Sequence, residues 1–235
     1  MSLFSRIRPA RPARDEPLTP GQAAERALLM RLLSLLLQYP DAELAAAAPE
    51  LAAAVADLPP SPAADHLARF TAWFLRQPAH AREMHYVDVF DLRRRSGLHL
   101  TYYLHGDTRR RGTALLALAR SYRAHGWETA DGELPDHLPV ALEFAALMGP
   151  GPGEAPLRRH RRGIRLIHHA LDDLESPYRH LLASLLALLP PPTAADREAV
   201  RRLAADGPPA EQVGLHPYGR PQTEPAPLTD PEDPR

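Results

Sequence analysis

LHLTYYL, residues 98–104, decides the fold class of this chain. The run alternates in part and carries Thr101, Tyr102 and Tyr103, so a strand is the first reading. A lone strand cannot satisfy its own backbone N–H and C=O groups, and no second strand-like run exists to pair with it. A helix is the better reading, and with it the whole chain becomes all-α. Gly106-Asp107 ends this helix, and Asp107 is placed to cap the next one, which carries Leu115, Leu116, Leu118 and Tyr122 and stops at the C-capping His125-Gly126. On the other side, a helix after Pro78 offers Met84, Val87 and Leu92 as core positions.

The outer segments repeat one grammar. Thr19-Pro20-Gly21-Gln22 supplies an N-cap, a first-turn proline and a capping-box glutamine ahead of Leu28, Leu29, Leu32, Leu33 and Leu36. Asp41 opens an Ala-rich helix that Pro49 is expected to break or kink. Ser61-Pro62 opens a third, with Leu67, Phe70, Phe74 and Leu75 on its buried face and Trp73 beside them. Downstream, Asp136 is placed to cap a helix ending near Met148, with Pro139 in its first turn. The run from Gly149 to Gly153 is the strongest breaker. Beyond it, Leu157, Ile164, Ile167, Leu171 and Leu174 form one stripe, and Arg158, Arg159, Arg161, Arg162 and Arg165 are expected to face water. Ser176-Pro177 starts a last Leu-rich helix, expected to dock back on the first, and a short helix over roughly 195–205 is expected after it. The expected organisation is a disordered basic arm over 1–18, one helical domain over 19–205 and a disordered Pro-rich tail over 206–235.

Composition narrows the function classes. The chain has 235 residues, 44% hydrophobic and 24% charged, with formal net charge −1, so nothing in it announces a nucleic-acid or membrane-surface binder. Cysteine is absent, which removes disulfides, thiolate metal ligands and cysteine nucleophiles and fits a cytoplasmic protein. The start has no apolar core of a secretory signal, and the Leu-rich run near 28–37 is too short and interrupted to span a bilayer. All basic residues are Arg, so a phosphate loop ending in Gly-Lys is impossible. None of the twelve histidines stand three or four apart, which argues against a helical metal site; His168 and His169, beside Asp172 and Asp173, read as a solvated charged face. Asp136 and His137 form an acid–base pair on paper, but neighbours at a helix start more often serve as cap and first-turn residue. The arginine triplets 93–95 and 109–111 flank Tyr86, Phe90, Tyr102 and Tyr103, and an aromatic stripe rimmed by Arg and Asp suits a groove for an amphipathic peptide.

Three pieces, YVDVFD at 86–91, HGDTRRRG at 105–112 and ELPDHLP at 133–139, resemble the NarJ family of nitrate reductase assembly chaperones in their order and spacing. The last carries the Glu…Pro-x-Asp-His pattern of the wider TorD and DmsD group, and LLSLLLQYPDAEL at 32–44 is similar to that family's first two helices. The resemblance covers about residues 20–190. It implies an all-helical domain without catalytic chemistry, metal or cofactor of its own. Its implied partner is the catalytic alpha subunit of respiratory nitrate reductase, met in part through that subunit's N-terminal peptide and held open for molybdenum cofactor insertion before membrane docking. No nucleic acid or stable membrane association is implied. The expected client-binding residues are Tyr86, Phe90, Asp91, Tyr102, Tyr103, Asp107, Arg109, Glu133, Asp136 and His137. The competing readings are a chaperone for another molybdoenzyme with a twin-arginine peptide, a nucleotide-acting enzyme using Asp136 and His137, and a plain helical scaffold.

Overall fold

In a computed structural model, residues 18–191, 198 and 200–202 are described. Ten α-helices and one π-turn make up the helical body. They are α1 (Pro20–Leu36), α2 (Ala42–Ala56), α3 (Pro62–Arg76), α4 (Ala79–Tyr86), the π-turn Val87–Asp91, α5 (Tyr102–His105), α6 (Arg109–Arg123), α7 (Leu138–Met148), α8 (Ala155–Arg159), α9 (Arg161–Asp173) and α10 (Arg179–Leu188). The expected all-α architecture holds. Nearly all of the expected arm, and all of the expected tail, fall outside the described residues; of the short helix expected over 195–205, residues 198 and 200–202 are helical.

Three helices begin as their sequences dictate. Thr19 accepts from the Gln22 amide while the Gln22 side chain accepts from the Thr19 amide, a complete capping box. Asp41 and Ser61 cap α2 and α3 at the Leu44 and Ala64 amides. Helix α2 runs unbroken across Pro49, against expectation. Pro49 is exposed, so its ring and missing N–H fall on the solvent side of the helix.

α1 lies between α7 and α10, and α10 also packs on α3 and α9. Two serines let these helices approach closely: Ser34 donates to the Pro139 carbonyl at 2.9 Å and Ser184 to the Ala63 carbonyl at 2.9 Å. The α1–α10 contact is the docking of last helix on first that the sequence led us to expect. At the centre sits Tyr178, fully buried, with Phe70 and Phe90 each 4.9 Å away and Trp73, Tyr86 and His85 within 5.9 Å, centroid to centroid.

Several core assignments need correction. Tyr86, Val89 and Phe90 point inward at ordinary helical spacing from buried Arg82, so Met84 is 59% and Leu92 73% exposed and Val87 is half-buried. The Ser96 hydroxyl donates to the Val89 carbonyl, supplying a partner where the turn disturbs the ladder. Leu75 and Leu116 are also exposed, because the buried faces of α3 and α6 run through Phe70, Phe74, Leu118 and Tyr122 instead. Leu98–Leu104 is helical only over its last residues. His99 makes an isolated antiparallel bridge with His137, in which the Leu100 amide donates to the Asp136 carbonyl and the Leu138 amide to the Leu98 carbonyl, each at 2.9 Å.

Candidate functional site

That bridge forms one wall of the most elaborate polar arrangement in the molecule. Asp136 is fully buried and accepts from the Thr101 amide at 3.1 Å, the Thr101 hydroxyl and His99 Nδ1 at 3.2 Å. Arg111 lies 3.9 Å away and also reaches the Asp107 carboxylate at 3.3 Å. Burial alone would push the Asp136 carboxyl up; the hydrogen bonds from His99 and Thr101 together outweigh it and hold it below the usual value. Asp136 is therefore no helix cap. His137 occupies that position on α7 and makes no side-chain cap bond. Asp107 is no cap either: Thr108 precedes α6, and Asp107 pairs with Arg111 and Arg94.

His137 turns the other way, into a cleft of about 610 Å³. Val140, Glu143, Phe144 and Leu147, spaced three and four apart, give the cleft one face of α7. The turn from α1 to α2 adds Gln38, Tyr39 and Asp41, and the loop after α6 adds Trp127, Glu128, Thr129, Ala130 and Glu133. Tyr86, Tyr122 and Pro139 complete the lining. Tyr39, Trp127 and Leu147 are 45%, 42% and 50% exposed, so the apolar surface is open to a partner. The Tyr86 hydroxyl donates to the Leu37 carbonyl at 3.2 Å, and the Tyr122 hydroxyl donates to the Pro135 carbonyl at 2.8 Å while its ring lies 4.4 Å from Phe144.

The lining carries four carboxylates, Asp41, Glu128, Glu133 and Glu143, against one imidazole. Arg31 pairs with Glu143 and Arg123 lies 3.9 Å from Glu128, so the rim stays acidic after both are counted. Glu133 faces His137 at 3.4 Å. Burial, then repulsion from His99, lowers the His137 pKa, with Glu133 opposing. Burial raises the Tyr86 phenol, and the carboxylates of Asp91 and Glu133 raise it further.

Of the ten residues expected at a client site, Tyr86, Glu133 and His137 line this cleft, Asp91 is close enough to act on Tyr86, and Asp136 fixes the segment beneath. Phe90 and Tyr103 are core residues; the Tyr103 hydroxyl donates to the Gly97 carbonyl at 2.8 Å. Tyr102 is half-buried against Tyr103, and Asp107 and Arg109 are exposed at the start of α6, away from the cleft lining. Sequence reasoning missed Tyr39, Trp127, Val140, Glu143, Phe144 and Leu147. The repeat of Val140, Phe144 and Leu147 on the second face of an apolar helix was the available signal.

Elsewhere, Glu154 is buried and held by Arg26 and Arg158, so of the five arginines expected on a solvated face, Arg158 is tied to the core, and Arg161, Arg162 and Arg165 are half-buried. No group of three or more His, Asp or Glu able to hold a metal occurs among the described residues. No described helix is long and apolar enough to cross a membrane.

The arrangement defines an all-helical domain whose fold is that of a solved putative redox enzyme maturation protein from Archaeoglobus fulgidus. The TM-score is 0.51 at 19% identity, over 80% of this chain and 99% of that one. The nitrate reductase delta subunit family model matches residues 37–184, and the chain belongs to that family. It is 32% identical over 165 residues to the probable nitrate reductase molybdenum cofactor assembly chaperone NarJ of Bacillus subtilis, covering 70% of this chain and 90% of that one. It is 41% identical over 152 residues to the nitrate reductase-like protein NarX of Mycobacterium tuberculosis; these cover 65% of this chain but only 23% of NarX, so the chain spans about a quarter of that relative.

Proposed function

We propose that this chain is a cytoplasmic assembly chaperone, not an enzyme, for a respiratory nitrate reductase. It binds the apo catalytic alpha subunit through that subunit's N-terminal peptide and keeps it open for molybdenum cofactor insertion before membrane docking. The observation that carries this reading is the cleft over α7: an open apolar floor with an acidic rim, in a member of a family whose relatives are named as nitrate reductase assembly chaperones. Apolar anchors of an amphipathic peptide bury on Tyr39, Trp127, Phe144 and Leu147, and its basic residues face Glu128, Glu133 and Glu143. A volume of about 610 Å³ takes a few large side chains rather than a folded domain. An acid–base role for Asp136 is disfavoured, since both carboxylate oxygens are already engaged and shielded from solvent.

Calorimetry of the full chain against a synthetic alpha-subunit N-terminal peptide tests this. Leu147→Arg and Trp127→Ala change exposed positions, so the fold survives, and each is expected to weaken binding about tenfold or more. No heat with the unaltered chain, or equal affinity in Leu147→Arg, refutes the reading. The acidic rim also suits a twin-arginine peptide from another molybdoenzyme, and direct competition between the two peptides orders the clients.

A further inference from the structure

The cleft has a candidate occupant in the chain itself. Residues 1–14, MSLFSRIRPARPAR, carry Arg6, Arg8, Arg11 and Arg14 and no acidic residue, with Leu3, Phe4 and Ile7 as apolar positions. That is the chemistry the cleft selects: apolar side chains for Trp127, Phe144 and Leu147, and cations for an acidic rim. Reach is sufficient. The Ser34–Pro139 and Arg31–Glu143 contacts make α7 antiparallel to α1, so Leu147 lies toward the α1 N-terminus. At ~1.5 Å per helical residue, Thr19 is displaced from the level of Leu147 by roughly 12 Å along the axis. α7 also lies roughly 9 Å to the side of α1, so residues 11–18, about 26 Å when extended, make the connection and residues 3–10 are left for the cleft.

We infer that residues 3–10 dock in the cleft as an internal stand-in for the client, with Arg11 and Arg14 passing along the acidic rim, so that a client binds by displacing them. The inference rests on the cleft being the client site. A tethered arm acts at an effective concentration on the order of 1 mM. An arm with an intrinsic Kd of about 0.1 mM then weakens client binding about tenfold. Such an arm would favour clients that outbid it and would cover the exposed apolar floor between clients.

The chain has no cysteine and two tryptophans, Trp73 and Trp127, which makes the test specific. Ser5→Cys, labelled with bimane, places a tryptophan-quenched dye on the arm of the full chain. Quenching that Trp127→Phe relieves, and that Arg6→Glu/Arg8→Glu/Arg11→Glu/Arg14→Glu also relieves, supports docking. Calorimetry with the alpha-subunit peptide is expected to show about tenfold tighter binding to the four-arginine variant than to the unaltered chain. Equal affinities together with dye brightness indifferent to Trp127→Phe overturn the inference while leaving the client reading intact. Dye quenching without any peptide binding keeps the docked arm and removes the client reading. Quenching that rises with protein concentration places the arm in a second copy's cleft and overturns the internal assignment.

Discussion

Asp136→Ala separates two accounts of one residue. If Asp136 were a helix cap, its loss would cost about 1 kcal/mol. The structure gives it a larger part. Thr101 is fully buried, and both its amide and its hydroxyl donate to the Asp136 carboxylate. Removing the acceptor leaves two buried donors unsatisfied, at about 1–3 kcal/mol each. His99 is 41% exposed at its side chain and returns to water, so it adds little. The expected loss is about 4 kcal/mol. With a urea m-value of about 2 kcal/mol/M, the unfolding midpoint falls by about 2 M. Circular dichroism and tryptophan fluorescence, followed through the same titration, read it. Asp136→Asn keeps the shape and one acceptor and is expected to lose about half as much. In a Thr101→Val background, the cost of Asp136→Ala should shrink by at least about 1 kcal/mol, since the hydroxyl donor is already gone. The sign with pH is fixed by the depressed carboxyl. Its stabilisation is complete above the ordinary value of 3.8 and is lost as pH falls through the lower folded value, so the gap between variant and unaltered chain closes only in strong acid. A loss under 1 kcal/mol at neutral pH, or no coupling to Thr101, would refute the buried-network account.

Two further outcomes follow from packing and titration. A Cβ on Gly153 would sit 2.5 Å from the Gly149 carbonyl oxygen and 2.9 Å from Met148 Cβ, whereas one on Gly163 would meet Tyr103 Cβ at 3.1 Å. Gly153→Ala is therefore expected to cost about 2–3 kcal/mol and Gly163→Ala about 1 kcal/mol in urea unfolding, and the reverse order would contradict the close approach after α7. Burial lowers the pKa of His66, His85, His137, His160, His168 and His180 from the ordinary 6.5. Below that value the unfolded chain takes up protons that the folded chain refuses, so stability is full above 6.5 and declines as pH falls. The urea midpoint should be lower at pH 5.5 than at pH 7.5; equal midpoints would show that these imidazoles are not held neutral.

What was legible in the sequence was local. Thr19, Asp41 and Ser61 act within their own first turns, and each caps as its neighbours dictate. Asp107 and Asp136 carry the same residue type at the same kind of boundary, yet neither caps: Asp107 pairs with the Arg111 and Arg94 side chains, and Asp136 is claimed by Thr101 and His99 far along the chain. Nothing in a one-dimensional pattern announces that competition. Along α4 and the π-turn the buried set Arg82, Tyr86, Val89 and Phe90 keeps ordinary helical spacing; Met84, Val87 and Leu92 lie off it, and the charge on Arg82 hides the true face from an apolar-only reading. Tyr178 did leave a signal: with Leu181, Leu182, Leu185 and Leu189 it completes one stripe at helical spacing. The cleft was half legible. Tyr86, Glu133 and His137 came from motif, while the α7 face that forms most of the floor looked like ordinary core.

The adjacency of Asp136 and His137 then acquires a physical meaning that neither catalysis nor capping supplies. One side chain is locked into the core and the other lines the cleft, so the backbone between them fixes the cleft wall to the helical body. α7 adds a rigid floor, because the flank beside it is packed on α1 through the Ser34–Pro139 and Arg31–Glu143 contacts. The rims are different in kind: the α1–α2 turn and the 14-residue connection between α6 and α7 carry Tyr39, Trp127 and Glu133 outside the helices. A rigid floor lowers the entropy lost when an apolar anchor is seated, and loop-borne rim charges set orientation and encounter rate more than final affinity. Binding built this way is selective without being permanent, which is what a site must be if its occupant is to leave.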